Sequence, residues 1–350
     1  MACNTYFSPL LGVLERNQFE IQIKDGREEE EEEEACGAGI FTLCCVLNHS
    51  CEPNAEIVFE SGTNQATVRA TKPIAVGEEV YISYVDSEDG LQDRQEQLRD
   101  YGFVCECGRC RQEQEWMDQQ SELAKRVVAD RCDSTDFVPK LVGGFDISFP
   151  EDDTSHPCMA CLCVMTLPSL QVVYEAVEEC KMSVPYIPGF LAFREADICR
   201  RMLTKVPQEL RPQVLVLDGS GVMHPRQCGL ASHVGVVCDL PTIGVSKNLL
   251  AVDGLTRDLV KQQTKKMLVK GGARELDLVG NSGRVWGKAF VPPTAKSNAV
   301  FVSVGHRLDL PTAMAIVRQC CENSRVPAPV RHADLTSRQA VRNQASTNNY

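Results

Sequence analysis

Three acidic side chains stand where a charge is costly unless it has a partner. Asp146 interrupts the apolar strand pattern "LVGGFDISF", and Asp218 ends the apolar run of "PQVLVLDGSG". Glu195 lies among apolar residues in the helical segment "FLAFREAD". A carboxylate inside a fold is tolerated when it is paired or binds a metal. Three carboxylates from three elements suit Mg²⁺, which prefers oxygen ligands and lowers the pKa of a water that attacks phosphate.

Each acid also fits an ordinary structural role. Glu195 fits a solvated helix position beside Arg194, and Asp218 fits a turn. A neighbouring cation favours the catalytic interpretation, because Lys247 follows the apolar strand in "IGVSKN" and can stabilise charge on a phosphate. His224 in "MHPR" and His306 in "VGHR" stand in polar turns and add two candidate proton carriers.

A second cluster of ligand-type residues lies in the first part of the chain. Cys105, Cys107 and Cys110 form C-x-C-x-x-C in "CECGRC", and Cys51 stands alone in "NHSCEPN". Three thiolates at this spacing hold three corners of a tetrahedral zinc site, and Cys51 is the candidate for the fourth. The alternative is four small buried hydrophobic side chains. An all-sulfur site is closed and structural, so we expect stability from it rather than catalysis.

Bulk composition limits the class of protein. No basic region precedes an apolar segment at the N-terminus, so the 18 cysteines favour a reducing compartment, and we expect a cytoplasmic or nuclear protein. The apolar runs are too short to span a membrane. Residues 1–140 carry 29 acidic and 13 basic side chains, whereas residues 141–350 carry 19 and 23. Only the second part is electrostatically suited to nucleic acid.

Local patterns divide the chain in the same place. Before residue 112 we predict a hairpin in "AEIVFES" and "QATVRATKPI", a strand in "GEEVYISYVD" and a helix in "EDGLQDRQEQLRDYG". "EWMDQQSELAKRVVADR" then has helical spacing. Beyond residue 140, strands alternate with helices, which is typical of an α/β fold. The predicted strands there are "LVGGFDISF", "CMACLCVMTL", "LQVVYEAV", "PQVLVLDG", "PTIGVSKN" and "NAVFVSVGHRL".

From about residue 115 to 341 the chain closely resembles the endonuclease V family. The matching motifs are "VGGFDISF", "PYIPGFLAFRE", "PQVLVLDGSGVMHPRQCGLASHVG", "LPTIGVSKNLL", "SGRVWGKA" and "VSVGHRLDLPTA". The resemblance implies an RNase H-like fold, a central mixed sheet with flanking helices. It implies Mg²⁺-dependent cleavage of nucleic acid one nucleotide 3′ of inosine, which leaves a 3′-hydroxyl and a 5′-phosphate. Mn²⁺ is the expected substitute for Mg²⁺.

The resemblance also assigns roles. Asp146 and Asp218 would bind the metal and Glu195 would complete the acidic site. Lys247 and His306 would support the phosphate and water chemistry, with His224 nearby. The segment "PYIPG" would be the wedge that enters where the inosine base leaves the strand, since Tyr186 can stack there; the wedge residues are Pro185, Tyr186, Ile187, Pro188 and Gly189. Four glycines would line a hypoxanthine pocket with their main chain: Gly219, Gly221, Gly229 and Gly244.

The first part of the chain resembles a different family. "NHSCEPN", "GEEVYISYVD" and "YGFVCECGRC" are similar to the C-terminal half of SET-domain lysine methyltransferases of the MYND-associated type, over roughly residues 10–112. The resemblance implies S-adenosylmethionine contacts from Asn17, Asn48 and His49. Tyr84 would stand beside the transferring methyl group, and Tyr101 and Phe103 would line the lysine channel. The family's glycine-rich cofactor strand does not precede residue 10, and half a pocket binds poorly.

We therefore predict two domains: a small, mostly-β partial SET and post-SET module at residues 1–111, with an acidic loop at 28–34, and an endonuclease V domain at residues 112–341. Residues 342–350 would form a tail. The first functional hypothesis is an inosine-specific endonuclease that acts as a monomer on single-stranded RNA or on DNA. The second is a lysine methyltransferase, and the third is a non-catalytic zinc module that docks the nuclease to a partner. The sequence favours a structural remnant over an active methyltransferase.

Overall fold

The structure, a computed structural model, describes residues 17–22, 35–59, 65–130, 137–150, 157–182, 184–271, 274–293, 298–321 and 324–347. The chain divides into two units, Met1–Glu115 and Trp116–Tyr350, called unit 1 and unit 2 below. The sequence placed the boundary close to this, between residues 111 and 112. The predicted acidic loop at 28–34 lies outside the described residues. Among the described residues, no helix is long and apolar enough to cross a lipid bilayer.

The described residues of unit 1 form three pairs of short strands, a 3-10 turn at Cys44–Val46, one complete helix and the start of another. The strands are β1 (Gln18–Gln22), β2 (Ala35–Ile40), β3 (Asn48–His49), β4 (Ala55–Phe59), β5 (Ala66–Ala70) and β6 (Tyr81–Ile82). β1 pairs with β2 and β4 with β5 in antiparallel fashion, whereas β3 and β6 are parallel. Helix α1 is Leu91–Arg99, and helix α2, Gly108–Ala124, begins in this unit. The predicted hairpin and the first helix are confirmed.

The strand predicted in "GEEVYISYVD" is much shorter than expected, since only Tyr81 and Ile82 form β6. The Asn54 side chain explains this. Its amide oxygen accepts from the Tyr81 main-chain N–H at 2.8 Å, and its amide nitrogen donates to the Glu79 carbonyl at 2.9 Å. A side chain that satisfies main-chain groups in this way replaces a strand partner.

An eight-stranded mixed sheet forms the centre of unit 2. Its strands are β7 (Leu141–Ser148), β8 (Cys158–Thr166), β9 (Val172–Cys180), β10 (Val214–Asp218), β11 (Thr242–Ser246), β12 (Glu275–Val279), β13 (Val285–Phe290) and β14 (Val300–His306). They lie in the order β12-β13-β14-β11-β10-β7-β8-β9. β10 is parallel to β7 and β11, and all other pairs are antiparallel. The carboxyl ends of β7, β10 and β11 therefore meet at one edge.

Helices flank this sheet on both faces. They are α3 (Leu191–Lys205), α4 (Leu230–Cys238), α5 (Arg257–Gly271), α6 (Leu310–Cys320) and α7 (Ala328–Thr347). Val214 and Val216 of β10 pack into the apolar cluster beneath α6 and α7, and Leu215 and Leu217 pack into the one beneath α3 and α4. β10 is thus buried on both faces, as "VLVL" predicts. The predicted tail at 342–350 begins inside α7.

Helix α7 lies close against β7. A Cβ atom added at Gly144 would stand 2.3 Å from the Pro329 carbonyl oxygen, so this strand position has no room for a side chain. The Ser148 and Ser337 hydroxyls share a buried hydrogen bond of 2.7 Å. These contacts fix the helix against the strand face on which Asp146 lies.

Candidate active site and metal centres

Two strand ends bring a carboxylate and an ammonium group together. Asp218 is the last residue of β10, and Lys247 follows the last residue of β11, the parallel neighbour. The Lys247 Nζ lies 2.8 Å from the Asp218 Oδ2. Burial alone would lower the pKa of Lys247, but the hydrogen bond and charge of Asp218 raise it. Lys247 is therefore a fixed cation at the sheet edge.

Asp146 and Glu195 are held in an environment that disfavours their charged forms. Burial, and then the charge of Asp218, raises the pKa of Asp146 to about 7. Burial, and then the charge of Asp146, raises the pKa of Glu195 to about 8. Glu195 is only 8% exposed. Such carboxyls gain from a nearby cation, because a positive charge offsets both their desolvation and their mutual repulsion.

The carboxylates are close enough for their charges to affect the pKa of Asp146 and Glu195, but their oxygen atoms are not grouped as tightly as the cysteine sulfurs. Among the described residues, only the cysteine cluster forms a group of three or more metal-ligating side chains whose atoms all lie within 4.8 Å of one another. The acidic set of Asp146, Glu195 and Asp218 is more open. An open oxygen site suits a cation that keeps several of its waters, as Mg²⁺ does.

A fourth carboxylate, missed by the sequence analysis, belongs to this set. Asp334 in α7 raises the pKa of both Asp146 and Lys247 through its charge. It also pairs with Arg338, whose Nε lies 2.6 Å from the Asp334 Oδ1. In the sequence, an Asp four residues before an Arg is typical of an ion pair on the exposed face of a helix. The available signal was the apolar spacing of "PVRHADLTSRQAV", which buries one face of the helix and brings Asp334 toward the sheet.

The structure does not place His306, a predicted catalytic residue, beside the carboxylates. His306 lies opposite Thr242, the first residue of β11, whereas Asp218 lies opposite Val245 near the end of that strand. At about 3.3 Å per residue this separates the two by roughly 10 Å along the strand. The His306 Nδ1 accepts from the Val128 main-chain N–H at 3.2 Å. His306 thus stands at the opposite end of β11 from Asp218.

Replacing His306 with asparagine should therefore leave nucleic acid cleavage within about twofold of the original rate, while lowering the melting temperature by a few degrees. The reason is that the change removes a main-chain contact to Val128 at the end of β11 away from Asp218. Cleavage assays and thermal denaturation of the same preparation measure the two effects. A rate loss of about a hundredfold at unchanged melting temperature would restore His306 to the catalytic set.

The wedge, residues 185–189, carries an exposed aromatic ring on a hydrogen-bonded turn of the main chain. Tyr186 is 66% exposed, whereas the next residues turn back through a Phe190 N–H to Ile187 carbonyl hydrogen bond of 3.0 Å. Gly189 has φ +84°, a conformation that favours glycine. A protruding ring on a rigid turn is suited to stacking against a base.

His224 contacts this wedge rather than the carboxylates. Its Nδ1 accepts from the Arg226 main-chain N–H at 3.1 Å, which leaves the proton on Nε2, 3.0 Å from the Gly189 carbonyl oxygen. Burial, and then the charge of Arg226, lowers the pKa of His224 to about 4. Both ring nitrogens are thus occupied and the ring is neutral at pH 7, so His224 is a positioning group.

In unit 1, the predicted thiol cluster is assembled. The ligand atoms of Cys51, Cys105, Cys107 and Cys110 all lie within 4.8 Å of one another. The Cys51 Sγ is 3.5 Å from that of Cys110 and 3.9 Å from that of Cys105. Hydrogen bonding to Cys107 raises the pKa of Cys51 to about 11. Four converging thiols at this spacing could hold a metal ion, and the donor set fits tetrahedral Zn²⁺.

Buried charges support that cluster. Arg94 is fully buried and donates to the Glu113 carboxylate at 2.9 Å. Arg109 donates from Nε to the same carboxylate at 2.7 Å and from Nη1 to the Cys51 carbonyl at 3.3 Å. The two guanidinium groups exceed the charge of Glu113 by one, which favours thiolates nearby.

Comparison with known proteins identifies the family of unit 2. The endonuclease V family model matches residues 121–335. Mouse endonuclease V is 39% identical over 236 residues, which cover 65% of this chain and 69% of the mouse protein. The chain belongs to the endonuclease V family. Human endonuclease V is 37% identical over 235 residues, which cover 65% of this chain and 82% of that protein.

Crystal structures of family members share the fold. Ciona intestinalis endonuclease V, in complex with a 24mer DNA that contains an inosine followed by a ribo-adenosine, has a TM-score of 0.63 and 36% identity, and the match covers 67% of this chain and 99% of that one. The catalytic domain of human endonuclease V gives a TM-score of 0.61 and 36% identity, with 67% and 97% covered. The predicted RNase H-like mixed sheet with flanking helices is confirmed. Endonuclease V proteins are metal-dependent nucleases.

The glycines predicted to line an endonuclease V hypoxanthine pocket face the protein's own atoms. These are Gly219, Gly221, Gly229 and Gly244. An added Cβ would stand 1.9 Å from the Val304 carbonyl oxygen at Gly221 and 2.3 Å from the Ser220 carbonyl oxygen at Gly229. At Gly244 it would stand 2.5 Å from the Gly221 nitrogen, and at Gly219 it would stand 3.1 Å from the Leu230 Cβ. The missing side chains permit these segments to pack closely, and the role of their main chain in a hypoxanthine pocket stays a prediction.

The SET-domain family model matches residues 12–85 of unit 1. The residues predicted to line the lysine channel form an aromatic group there: the Tyr84 ring lies 4.9 Å from Tyr101, 6.4 Å from Phe103 and 5.3 Å from His49 between centroids. Asn17 lines a small cavity with Tyr84 and Tyr101. Asn48, however, donates its side-chain amide to the Glu79 carboxylate at 2.6 Å.

Proposed function

We propose that this protein is a Mg²⁺-dependent endonuclease that hydrolyses a phosphodiester one nucleotide 3′ of inosine, in single-stranded RNA or in DNA, and leaves a 3′-hydroxyl and a 5′-phosphate. The observation that carries the proposal is the coupled acidic set of Asp146, Glu195 and Asp218 at one sheet edge, with Lys247 held beside it. Mn²⁺ is expected to replace Mg²⁺, since it also prefers carboxylate and water ligands.

The residues divide the work by position. Asp146 and Asp218 would hold the metal, with Glu195 as the third carboxylate, and Asp334 adds negative charge from α7. When bound, Mg²⁺ supplies polarisation of the phosphate and a lower pKa for the attacking water. Lys247 is placed to release Asp218 and pair with the phosphate as negative charge develops, because its ammonium group lies 2.8 Å from that carboxylate.

Substrate choice is supported by the relatives and by the wedge. The Ciona intestinalis enzyme was crystallised with DNA in which a ribo-adenosine follows the inosine. That supports inosine as the recognised base and a ribonucleotide at the position 3′ of it, so we place RNA first. The exposed Tyr186 ring is available to stack in the gap left by an extruded base.

The direct test uses matched oligonucleotides. Single-stranded RNA and DNA with one inosine, and the same strands with adenosine, are incubated with Mg²⁺ and the full chain. Cleavage one nucleotide 3′ of inosine is expected, and Asp218→Asn should lose at least about a thousandfold in rate. Absence of cleavage in all four, or equal cleavage by the variant, would disprove the proposal.

For unit 1, a non-catalytic zinc module is favoured over S-adenosylmethionine-dependent lysine methylation. The methyltransferase alternative is supported by the SET match and by the aromatic group around Tyr84. Against it, the Asn48 amide expected at the cofactor already has a carboxylate partner. Incubation with radiolabelled S-adenosylmethionine and histone peptides should give no transfer; transfer that Tyr84→Phe abolishes would reverse this assignment.

We further propose a monomeric nuclease in the cytoplasm or nucleus. None of the fifteen cysteines with described side chains forms a disulfide, which supports a reducing compartment. Light scattering of the purified chain and fluorescence microscopy of a tagged chain test the two statements.

A further inference from the structure

Three donors from separate parts of unit 2 converge on one carbonyl oxygen at the base of the wedge. The Gly189 oxygen accepts from the Gln120 Nε2, the His224 Nε2 and the Arg226 Nη2, each at 3.0 Å. A carbonyl oxygen has two lone pairs, so three donors over-satisfy it. Such a concentration of donors fixes the main chain at this residue.

Gln120 is the centre of this arrangement. It is fully buried, and its Nε2 also donates to the Cys228 carbonyl at 3.0 Å. Its Oε1 accepts from the Arg226 Nε. Each hydrogen-bonding group of the amide therefore has a partner, which orients the side chain uniquely. Gln120 lies in α2, one residue before the segment that the family model matches.

Aromatic packing supports the same point. The Arg226 guanidinium lies 4.4 Å from the centroid of the Phe190 ring, and the Trp116 ring lies 5.5 Å from Phe190. Phe190 directly follows Gly189 and is buried. The turn after Tyr186 is thus fixed in two ways. Hydrogen bonds fix the Gly189 carbonyl, and packing by Arg226 and Trp116 fixes the Phe190 ring.

We propose that Gln120, with His224 and Arg226, forms a clamp on the Gly189 carbonyl that sets the position of Tyr186 and so controls extrusion of the target base. The three are positioning residues, since they act through the wedge. The inference rests on the proposed function. It predicts that damage to the clamp impairs substrates whose base must be pulled from a stack more than substrates whose base is already free.

Gln120→Met keeps the length of the side chain and removes its hydrogen bonds. We expect cleavage of duplex DNA with inosine opposite cytosine to fall about thirtyfold, and cleavage of the single strand to fall only about threefold. A 2-aminopurine placed on the 5′ side of inosine should lose most of its fluorescence rise on binding, measured with Ca²⁺ in place of Mg²⁺. Equal losses on both substrates with a normal fluorescence rise would overturn the clamp.

Gln120→Glu separates the donor role from the acceptor role. Its carboxylate still accepts from Arg226 but faces the Gly189 and Cys228 carbonyls without a proton. Its duplex cleavage should be lower than that of Gln120→Met above pH 7 and should recover as the pH falls. The control is Gln213→Met, because Gln213 also bridges main-chain groups, at the Lys140 and Leu141 amides on the opposite edge of the sheet.

Hydrogen exchange in the free protein tests the clamp without relying on activity. In Gln120→Met the amides of Tyr186, Ile187, Gly189 and Phe190 should exchange about tenfold faster, while the rest of unit 2 and the melting temperature change little. Unchanged exchange would overturn the clamp even if cleavage fell. Faster exchange in Gln120→Met, together with no cleavage of either substrate by the unaltered protein, would support the clamp and refute the proposed function, so the two failures are distinguishable.

Discussion

Replacing Asp146 with asparagine, or Glu195 with glutamine, should abolish cleavage and at the same time stabilise the metal-free protein at pH 8. Activity should fall by at least about a thousandfold, because each change removes an oxygen charge from the acidic set. Stability should rise by about 1–2 kcal/mol per change, since a neutral amide avoids the burial and repulsion that the carboxylate suffers. In a unit of this size that corresponds to roughly 2–8 °C in melting temperature.

The pH dependence follows from the direction of the pKa shifts. Below about pH 4 both carboxyls are protonated in the folded and the unfolded chain, so they contribute no cost. As the pH rises, the unfolded chain ionises first, while the folded pKa values of Asp146 and Glu195 are about 7 and about 8. The folded protein then binds more protons, and its stability decreases with pH up to about 8.

Calorimetry with and without Mg²⁺ measures this decrease of stability with pH. The metal-free melting temperature of unit 2 should fall from pH 5.5 to pH 8, and the increase on adding Mg²⁺ should be larger at pH 8. Asp146→Asn should weaken the pH dependence of the melting temperature and that of the Mg²⁺-induced increase.

His224 affects stability in the opposite direction. Its folded pKa of about 4 means that the folded protein loses stability as the pH falls below about 6.5, so the comparison should use the difference between variant and parent. An equal Mg²⁺ effect at both pH values would contradict the assigned ligands.

Removal of metal from the four-thiol cluster should unfold unit 1. Structural zinc in small modules contributes on the order of 10 kcal/mol, far more than the apolar packing of three strand pairs can replace. We expect one zinc per chain by mass spectrometry, and a separate calorimetric transition that is lost with a chelator. Mg²⁺ is restored in excess afterwards, and inosine cleavage is measured on the same sample.

Cys51→Ser is the matching variant, because it removes the ligand that lies in sequence far from the other three. Cys45→Ser is the control, since the Cys45 thiol donates to the Asn17 carbonyl at 3.3 Å and takes no part in the cluster. Zinc content should fall in the first and stay in the second. Retention of zinc and of the first transition in Cys51→Ser would show that the fourth ligand is another group.

The sequence predicted the strands that have a strong apolar signal and the acids at their ends. β10 follows from an uninterrupted apolar run and β7 from an apolar pattern that Asp146 interrupts, and the parallel pairing of α/β units places Asp146 and Asp218 at one edge. The hairpin of β12 and β13 was missed, because "ELDLV" and "RVWGKAF" carry charged residues on their exposed side. Strand signals of that kind are weak in a single sequence.

The misassigned groups have one physical cause. The chemical type of a side chain can be read locally, whereas its direction depends on register across the sheet. His306 shows this, because antiparallel pairing of β14 sends it to the beginning of β11. Asp334 shows the converse: the apolar spacing of its helix directs it toward the sheet, but the groups that it meets there, Asp146 and Lys247, lie far away in the sequence.

The contact of Gly144 with Pro329 also bears on when the enzyme becomes active during synthesis. Helix α7 follows the other described elements of unit 2 in the chain, yet it lies against β7, the first strand of that unit, and supplies Asp334 to the acidic set. A chain still emerging from the ribosome can form β7, β10 and β11 but lacks this helix. We therefore expect a chain that stops before Ala328 to lack both the cover on β7 and the Asp334 carboxylate of the acidic set.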